Sequence, residues 1–200
     1  MINLYFGLPG TGKTTLIAKL CHSRSFRKRY KNVYCNVHLA NTDYTFIDNS
    51  YIGKYHLVDG AIIIDEGTLF ADNRDYKNFS QNLTKFFMLH RHYNVDIYIF
   101  AQTYNGVDKK IRTLCNNVYY MYKPFLTGLW LTKYYRIPYG IVIPDSRRNK
   151  EKTGNTLGEI EEGYCKPPLI MRVFAKRLYR PKYYKYFDSW ESPELLPLPT

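Results

Sequence analysis

The chain has 200 residues and a mass of 23.8 kDa, a length that suits one domain with room for a small appendage. Its 45% hydrophobic and 23% charged residues exclude general disorder, and its four widely spaced cysteines argue against a zinc site or a dense disulfide framework. The net charge of +12 favours a negatively charged partner, such as nucleic acid, anionic lipid or a nucleotide.

Two further observations bear on the cellular compartment. No segment approaches the roughly 18–20 apolar residues that a membrane helix needs. The first residues, Met1 to Gly7, lack the basic and apolar regions of a signal peptide. Because the four cysteines suit reduced thiols, we expect a cytoplasmic protein.

Short apolar runs and amphipathic segments alternate along the first 122 residues. The apolar runs predict buried strands at residues 2–6, 32–37, 61–64, 95–101 and 117–122. Apolar residues at three- and four-residue steps predict helices at residues 13–24, 77–93 and 107–114. The polar residues 40–56 predict a loop with a short helix. This alternation predicts an α/β fold with a mainly parallel sheet flanked by helices.

The alternation of predicted strands and helices ends after Tyr122. Residues 128–143 are aromatic and β-branched, and residues 137–140 (Ile-Pro-Tyr-Gly) predict a turn between two strands. The last residues are rich in proline. We therefore predict a core at residues 1–125, a β-rich, basic and aromatic extension of the same domain at residues 126–190, and a tail at residues 191–200.

The segment Gly7-Leu-Pro-Gly-Thr-Gly-Lys13-Thr14 has the spacing of a phosphate-binding loop. It follows a predicted strand and opens a predicted helix, which is the context that this motif requires. Glycines and a helix N-terminus allow backbone N–H groups to surround phosphates, Lys13 can reach the β- and γ-phosphates, and the Thr14 hydroxyl can hold Mg²⁺. We therefore predict a P-loop NTPase fold with an ATP and Mg²⁺ site, whose nucleotide-binding residues are Gly7, Leu8, Pro9, Gly10, Thr11, Gly12, Lys13, Thr14 and Thr15. A glycine-rich turn without a ligand is the alternative, but such a turn needs neither the Lys nor the Thr at those offsets.

An acidic pair, Asp65-Glu66, ends the predicted strand at residues 61–64 and resembles a Walker B motif. Asp65 would join Thr14 in holding Mg²⁺, and Glu66 would polarise the attacking water as the general base. A solvated acidic turn is the alternative. The phosphate loop some 50 residues upstream favours the catalytic interpretation.

Two later residues are further catalytic candidates. Gln102 ends the next predicted strand, where it could sense the γ-phosphate or orient water, and a plain polar strand end is its alternative. Arg112 follows on a short helix and is predicted to act as an arginine finger in a neighbouring subunit. Arg74 and Arg91 compete with Arg112 for this role, and an ordinary surface arginine is the alternative.

Basic and aromatic residues interleave in residues 172–187, which include Arg180, Lys182 and Lys185. Basic groups neutralise phosphates, while aromatic rings stack on bases or lie at a lipid headgroup boundary. The segment therefore predicts a surface for DNA or for a membrane, and a partly buried strand with solvated lysines is the alternative.

Several segments besides the phosphate loop resemble sequence patterns of one known family. These segments are residues 35–37, 63–67, 88–97, 101–102, 107–112 and 186–189. On these residues the chain resembles the zonula occludens toxin (Zot) family, which includes the filamentous-phage assembly ATPase known as the gene I protein. The similarity is carried by about residues 2–122. Family members usually continue into a membrane helix and an outer domain, so we expect either a short soluble member or a chain without its anchor.

The resemblance implies a cytoplasmic ATPase that powers phage assembly and extrusion at the inner membrane. It carries site roles to Lys13, Asn36, Asp65, Glu66, Gln102 and Arg112. The implied partners are ATP, phage DNA or a phage assembly complex, and further copies of the chain, with a ring as one arrangement. Membrane association would come from an anchor or from the basic C-terminal segment.

We weigh this motor, acting in phage extrusion or DNA translocation, against three alternatives. One is a DNA-packaging ATPase of the P-loop class that has an additional catalytic glutamate. Another is a nucleic-acid-binding scaffold that its nucleotide regulates. The third is a small P-loop kinase, which an acidic pair and a Gln at strand ends suit less well than they suit hydrolysis by water.

Overall fold

An eight-stranded sheet forms the centre of the computed structural model, which describes residues 1–66, 76–137 and 175–188, with side chains from residue 82 onward in the second range. The strands are β1 (Ile2–Phe6), β2 (Asn32–Cys35), β3 (Thr45–Phe46), β4 (Gly60–Ile64), β5 (Val95–Ala101), β6 (Asn117–Tyr122), β7 (Leu131–Ile137) and β8 (Lys176–Tyr179). Their order in the sheet is β3-β2-β4-β5-β1-β6-β7-β8. Strands β1 to β6 pair in parallel, whereas β7 is antiparallel to both of its neighbours. The predicted α/β fold with a mainly parallel sheet is therefore confirmed.

Four α-helices accompany the sheet in the described residues, and they are α1 (Lys13–His22), α2 (Arg24–Arg29), α3 (Tyr76–Leu89) and α4 (Lys109–Leu114). Two 3₁₀ helices span Asn49–Tyr51 and Pro181–Tyr186. The predicted loop at residues 40–56 contains the first of them and also the two-residue edge strand β3, which the sequence analysis did not predict. Among the described helices, none is both long enough and apolar enough to span a membrane.

Two predicted helix ends were wrong, and each has a local cause. The helix from Lys13 stops at His22, because Ser23 has extended backbone and its hydroxyl caps the next helix by accepting from the Phe26 N–H. Helix α3 ends at Leu89 and not at residue 93. There the ring of His90 approaches the Phe87 carbonyl with Nδ1 at 2.7 Å, competing with the helical hydrogen bond at that carbonyl.

Side chains of the central strands alternate between two apolar layers, one on each face of the sheet. On β1, Ile2 and Leu4 face the layer that includes Phe87 of α3, whereas Tyr5 faces the layer that includes Ile17 of α1. Tyr5 also stacks between Phe100 and Tyr119 of the neighbouring strands, with ring centroids 4.9 and 4.5 Å apart. Stacked rings across β5, β1 and β6 thus explain part of the high tyrosine content.

Strands β7 and β8 continue the sheet beyond β6, as the predicted β-rich extension requires. Strand β7 pairs with β6 from Val118 opposite Ile137 to Tyr122 opposite Lys133. The predicted turn at residues 137–140 and the strand after it lie outside the described residues, as do the tail and Cys165. The boundaries at residues 125 and 190 stay a prediction.

Candidate nucleotide site

Five polar or glycine residues follow directly after five parallel strands and therefore lie along one edge of the sheet. Gly7, Asn36, Asp65, Gln102 and Lys123 come after β1, β2, β4, β5 and β6, respectively. In open parallel sheets, ligands bind outside the carboxyl ends of the strands. Because β5 lies between β1 and β4, Gln102 follows the strand that separates the phosphate loop from Asp65.

The phosphate loop joins β1 to α1 in a compact turn. Its Gly10 and Gly12 have positive φ angles of 71° and 92°, which L side chains rarely adopt. Lys13 is the first residue of α1 and is buried, and its ammonium donates to the carbonyls of Gly7 at 2.7 Å and of Leu8 at 3.2 Å. The lysine therefore lies against the loop, where its charge can meet a phosphate.

Asp65 lies within reach of the first turn of α1. The Thr14 hydroxyl donates to its carboxylate, with Oγ1 and Oδ2 3.0 Å apart. Burial raises the pKa of Asp65 above its usual value, a penalty that a nearby cation reduces. A hydroxyl and a carboxylate are the hard oxygen ligands that suit Mg²⁺ together with phosphate oxygens and water, so Thr14 and Asp65 fit that ion.

Asn36 fixes the backbone at Asp65 from both sides. Its side-chain oxygen accepts from the Asp65 N–H at 2.7 Å, and its side-chain nitrogen donates to the Asp65 carbonyl at 2.9 Å. The same nitrogen also donates to the Asn49 side chain at 2.9 Å. Asn36 therefore continues the pairing of β2 with β4 by one residue and holds the carboxylate of Asp65 near Thr14.

Glu66 is exposed at the end of the same strand. Its φ angle is +54°, an unfavourable value for a residue with a Cβ, and its N–H donates to the Asp65 carboxylate at 3.0 Å. Strained backbone of this kind is concentrated at functional sites. Glu66 is thus an exposed carboxylate whose backbone is bonded to Asp65, the acidic partner of Thr14.

The remaining catalytic candidates differ in their positions. Gln102 is exposed after β5, level with the phosphate loop, since the Gly7 N–H donates to the carbonyl of the preceding residue, Ala101, at 3.2 Å. Arg112 donates to the Asn105 side chain at 2.8 Å, and its guanidinium carbon lies 4.8 Å from the centroid of the Tyr104 ring. Arg112 lies on α4, and both contacts hold its side chain against the connection between β5 and α4.

Arg91 and Arg74 were the alternative candidates for the arginine finger. Arg91 follows α3 and lines a cavity of about 570 Å³ at the amino ends of the strands, on the opposite edge of the sheet from the phosphate loop. Its position argues against a role at the nucleotide site of its own chain. Arg74 lies outside the described residues.

Sequence reasoning missed the side chains that support the phosphate loop from the C-terminal extension. The Thr132 hydroxyl donates to the Thr11 carbonyl at 2.5 Å, and the Arg180 guanidinium donates to the Gly10 carbonyl at 3.0 Å. The assignment of Arg180 to a DNA or membrane surface was wrong, because its side chain is only 7% exposed. Strand β8 ends at Tyr179, and only Leu178 among its four residues is buried, so no period-two pattern in the sequence marks Arg180 as a buried residue.

The described part of the chain contains no candidate metal site built from side chains alone. No group of three or more His, Cys, Asp or Glu residues is arranged there to hold an ion. Any Mg²⁺ at the nucleotide site would therefore rely on Thr14, Asp65, water and the phosphates themselves.

The chain has the fold of the P-loop NTPases. Three features define this fold: the parallel sheet with this strand order, the phosphate loop between β1 and α1, and the acidic residue after β4. The chain belongs to the zonular occludens toxin (Zot) family, whose model matches residues 23–168. The match begins after the phosphate loop. The loop's assignment therefore rests separately on its motif and its geometry.

Solved structures agree with this fold. The chain is similar to the N-terminal domain of zonular occludens toxin from Neisseria meningitidis, with 17% identity and a TM-score of 0.55, over 94% of this chain and 98% of that chain. At this identity the likeness shows the fold alone.

Two more distant likenesses are the flagellar accessory protein FlaH from Methanocaldococcus jannaschii and the genome packaging NTPase B204 from Sulfolobus turreted icosahedral virus 2 in complex with AMPPCP. FlaH has 16% identity and a TM-score of 0.49, over 69% of this chain and 78% of that chain. B204 has 9% identity and a TM-score of 0.47, over 68% of this chain and 92% of that chain. No curated protein gave a significant match to the sequence.

Proposed function

We propose that this protein is a Mg²⁺-dependent ATPase. One observation carries the proposal: the Thr14 hydroxyl and the Asp65 carboxylate meet 3.0 Å apart at the mouth of a phosphate loop, although β5 separates their strands. A glycine-rich turn with no ligand has no need to bring these two groups together. Family membership and the P-loop fold support the same proposal.

Each residue of the site has a separate role in the proposed hydrolysis of ATP. Backbone N–H groups of the phosphate loop and the ammonium of Lys13 bind the β- and γ-phosphates. Mg²⁺, held by Thr14 and Asp65, would neutralise charge on the phosphate oxygens. Glu66 accepts a proton from the attacking water, and Gln102 orients that water or contacts the γ-phosphate.

The hydrolysis is proposed to drive a motor in phage morphogenesis, for extrusion or for DNA translocation. Membership of the Zot family and the net charge of +12 support this role. The measurement that tests it is phosphate release from ATP with and without single- and double-stranded DNA. A motor on DNA predicts stimulation, a scaffold predicts binding without stimulation, and a kinase predicts phosphate transfer to a small acceptor.

We propose that the protein forms homo-oligomers in which Arg112 completes the site of a neighbouring subunit. Arg112→Ala should then lower turnover by about 10³-fold and leave ATP affinity nearly unchanged, because a finger stabilises the transition state. Mixed assemblies of Arg112→Ala and Glu66→Gln subunits should recover part of the activity, since each chain can complete the other's site. Absence of recovery, with both variants folded and assembled, would contradict the role between subunits.

We also propose a cytoplasmic location, at the membrane surface. Residues 123–130 connect β6 and β7 and expose four large apolar side chains, those of Phe125, Leu126, Leu129 and Trp130. No acidic residue occurs in the sequence between residues 109 and 137 or between 175 and 187. Apolar side chains within a cationic surface fit the headgroup region of anionic lipid.

The described part of the basic and aromatic segment offers exposed cations for DNA or lipid. Replacing Arg177, Lys182 and Lys185 with Ser should weaken DNA binding and flatten the slope of log K against log salt by about two to three units, because fewer counterions are released. The matched control replaces Arg24, Lys28 and Lys31, which are exposed on and after α2, with Ser and removes the same charge.

Binding isotherms over a range of salt concentrations, with anionic vesicles as competitor, provide the measurement. If both triple variants lose affinity equally, net charge and not this segment accounts for the binding. If the first variant binds DNA and vesicles as the wild type does, the segment is structural.

A further inference from the structure

Arg180, a buried residue of the C-terminal extension, is hydrogen-bonded to the phosphate loop. The Arg180 guanidinium donates to the Gly10 carbonyl of the phosphate loop at 3.0 Å and to the Leu129 carbonyl at 2.6 Å, and it also donates to the Gly128 carbonyl. One side chain therefore ties two loops together, the phosphate loop and the connection between β6 and β7.

Arg180 and its neighbour Thr132 fix two consecutive peptide groups of the phosphate loop. Arg180 binds the carbonyl of Gly10, and Thr132 binds the carbonyl of Thr11. Because the carbonyl and the N–H of a trans peptide point in opposite directions, the two contacts also set the directions of the Thr11 and Gly12 N–H groups. The Thr11 N–H donates to the Leu8 carbonyl at 3.2 Å and so closes the turn of the loop, whereas the Gly12 N–H is one of the backbone groups that receive the ligand in a phosphate loop.

Arg180 and Thr132 pack so closely against the phosphate loop that no side chain fits at Gly12. A methyl group added to Gly12 would lie 2.8 Å from Cδ of Arg180 and 2.9 Å from the Thr132 hydroxyl. The absence of a side chain at Gly12 therefore serves the packing of the arginine as well as the positive φ angle of the loop.

The charge of Arg180 has no acidic partner among the described residues, where the two ion pairs found both involve Asp96. A buried cation that is hydrogen-bonded to neutral carbonyl groups gains stability when an anion approaches. The polyphosphate of a nucleotide bound in the loop would be such an anion.

We propose that Arg180 is a positioning residue for the polyphosphate of the nucleotide. It acts through the Gly10 peptide, which it holds in place within the loop, and through its positive charge, not by contact with the reacting atoms. The inference rests on the proposed nucleotide site and adds a required contribution from the C-terminal extension.

The test measures the dissociation constants of ATP, ADP and inorganic tripolyphosphate for purified variants, together with their melting temperatures. Arg180→Ala should weaken all three ligands by at least about tenfold, since hydrogen bonds from a charged donor are lost and each 1.4 kcal/mol is a factor of ten. In steady-state hydrolysis the KM should rise more than kcat falls. Arg180→Lys should recover part of the affinity, because it restores the charge but not the planar fork that reaches several carbonyls.

Arg136→Ala is the matched control, an exposed arginine on β7 of the same extension, and it should bind all three ligands as the wild type does. If Arg180→Ala does not fold, Arg180→Lys and Thr132→Val carry the test with the same expected direction. A folded variant at position 180 with a lower melting temperature but unchanged affinity for tripolyphosphate would make the arginine structural and overturn the inference. A wild type that binds neither ATP nor tripolyphosphate would instead overturn the proposed function.

Discussion

Lys13→Ala should abolish ATP hydrolysis and most nucleotide binding. The Lys13 ammonium is buried against the phosphate loop, on the carbonyls of Gly7 and Leu8, and alanine removes the positive charge at that position. Loss of one preorganised group at a transition state costs about 10²–10³-fold in turnover, and loss of ground-state binding adds to it. Phosphate release and equilibrium binding of ATP measure the two effects.

Lys28→Ala, an exposed lysine on α2, is the control for Lys13→Ala and should retain wild-type activity. Circular dichroism of both variants checks that the fold is intact. Hydrolysis at a near wild-type rate by folded Lys13→Ala would show that the segment from Gly7 to Thr14 is not a catalytic phosphate loop.

Glu66→Gln should separate binding from turnover. The amide keeps the size of the side chain and its exposed position after β4, but it cannot accept a proton from water. A general base contributes about 10²–10⁴-fold, so hydrolysis should fall by that factor while ATP affinity stays nearly unchanged. Single-turnover hydrolysis and equilibrium binding are the measurements.

Asp43→Asn, which neutralises an exposed carboxylate elsewhere on the chain, is the matched control and should leave both quantities unchanged. If Glu66→Gln loses affinity along with turnover, the residue is a metal ligand or a structural residue and not the base. The strained backbone at Glu66 would then serve the position of Asp65.

The sequence predicted best those features that depend on neighbouring residues. Strands at 2–6, 95–101 and 117–122 were predicted with the bounds that the structure gives, since buried apolar runs are a local signal. The predicted phosphate loop does join a strand to a helix, as its local sequence pattern indicates, and its role and that of Asp65 stay predictions.

Features that depend on distant contacts or single caps escaped prediction. Ser23 follows the end of α1 and caps α2 through a single contact, and the sequence analysis did not predict α2. Asn36 was assigned to the site by resemblance alone, and the structure supplies its physical role as the clamp on Asp65. Arg180 was placed on the wrong surface, because nothing local in a basic and aromatic segment shows that one arginine points inward to Gly10, 170 positions away.

The position of β1 in the middle of the sheet has a consequence for how the chain is made. A ribosome releases the N-terminal residues first, yet β1 pairs with β5 and β6, which are synthesised some 90 or more residues later. Such non-local pairing slows folding. The contacts of the phosphate loop with Thr132 and Arg180 form later still. A nascent chain therefore carries its phosphate-binding sequence long before it has the structure that shapes it.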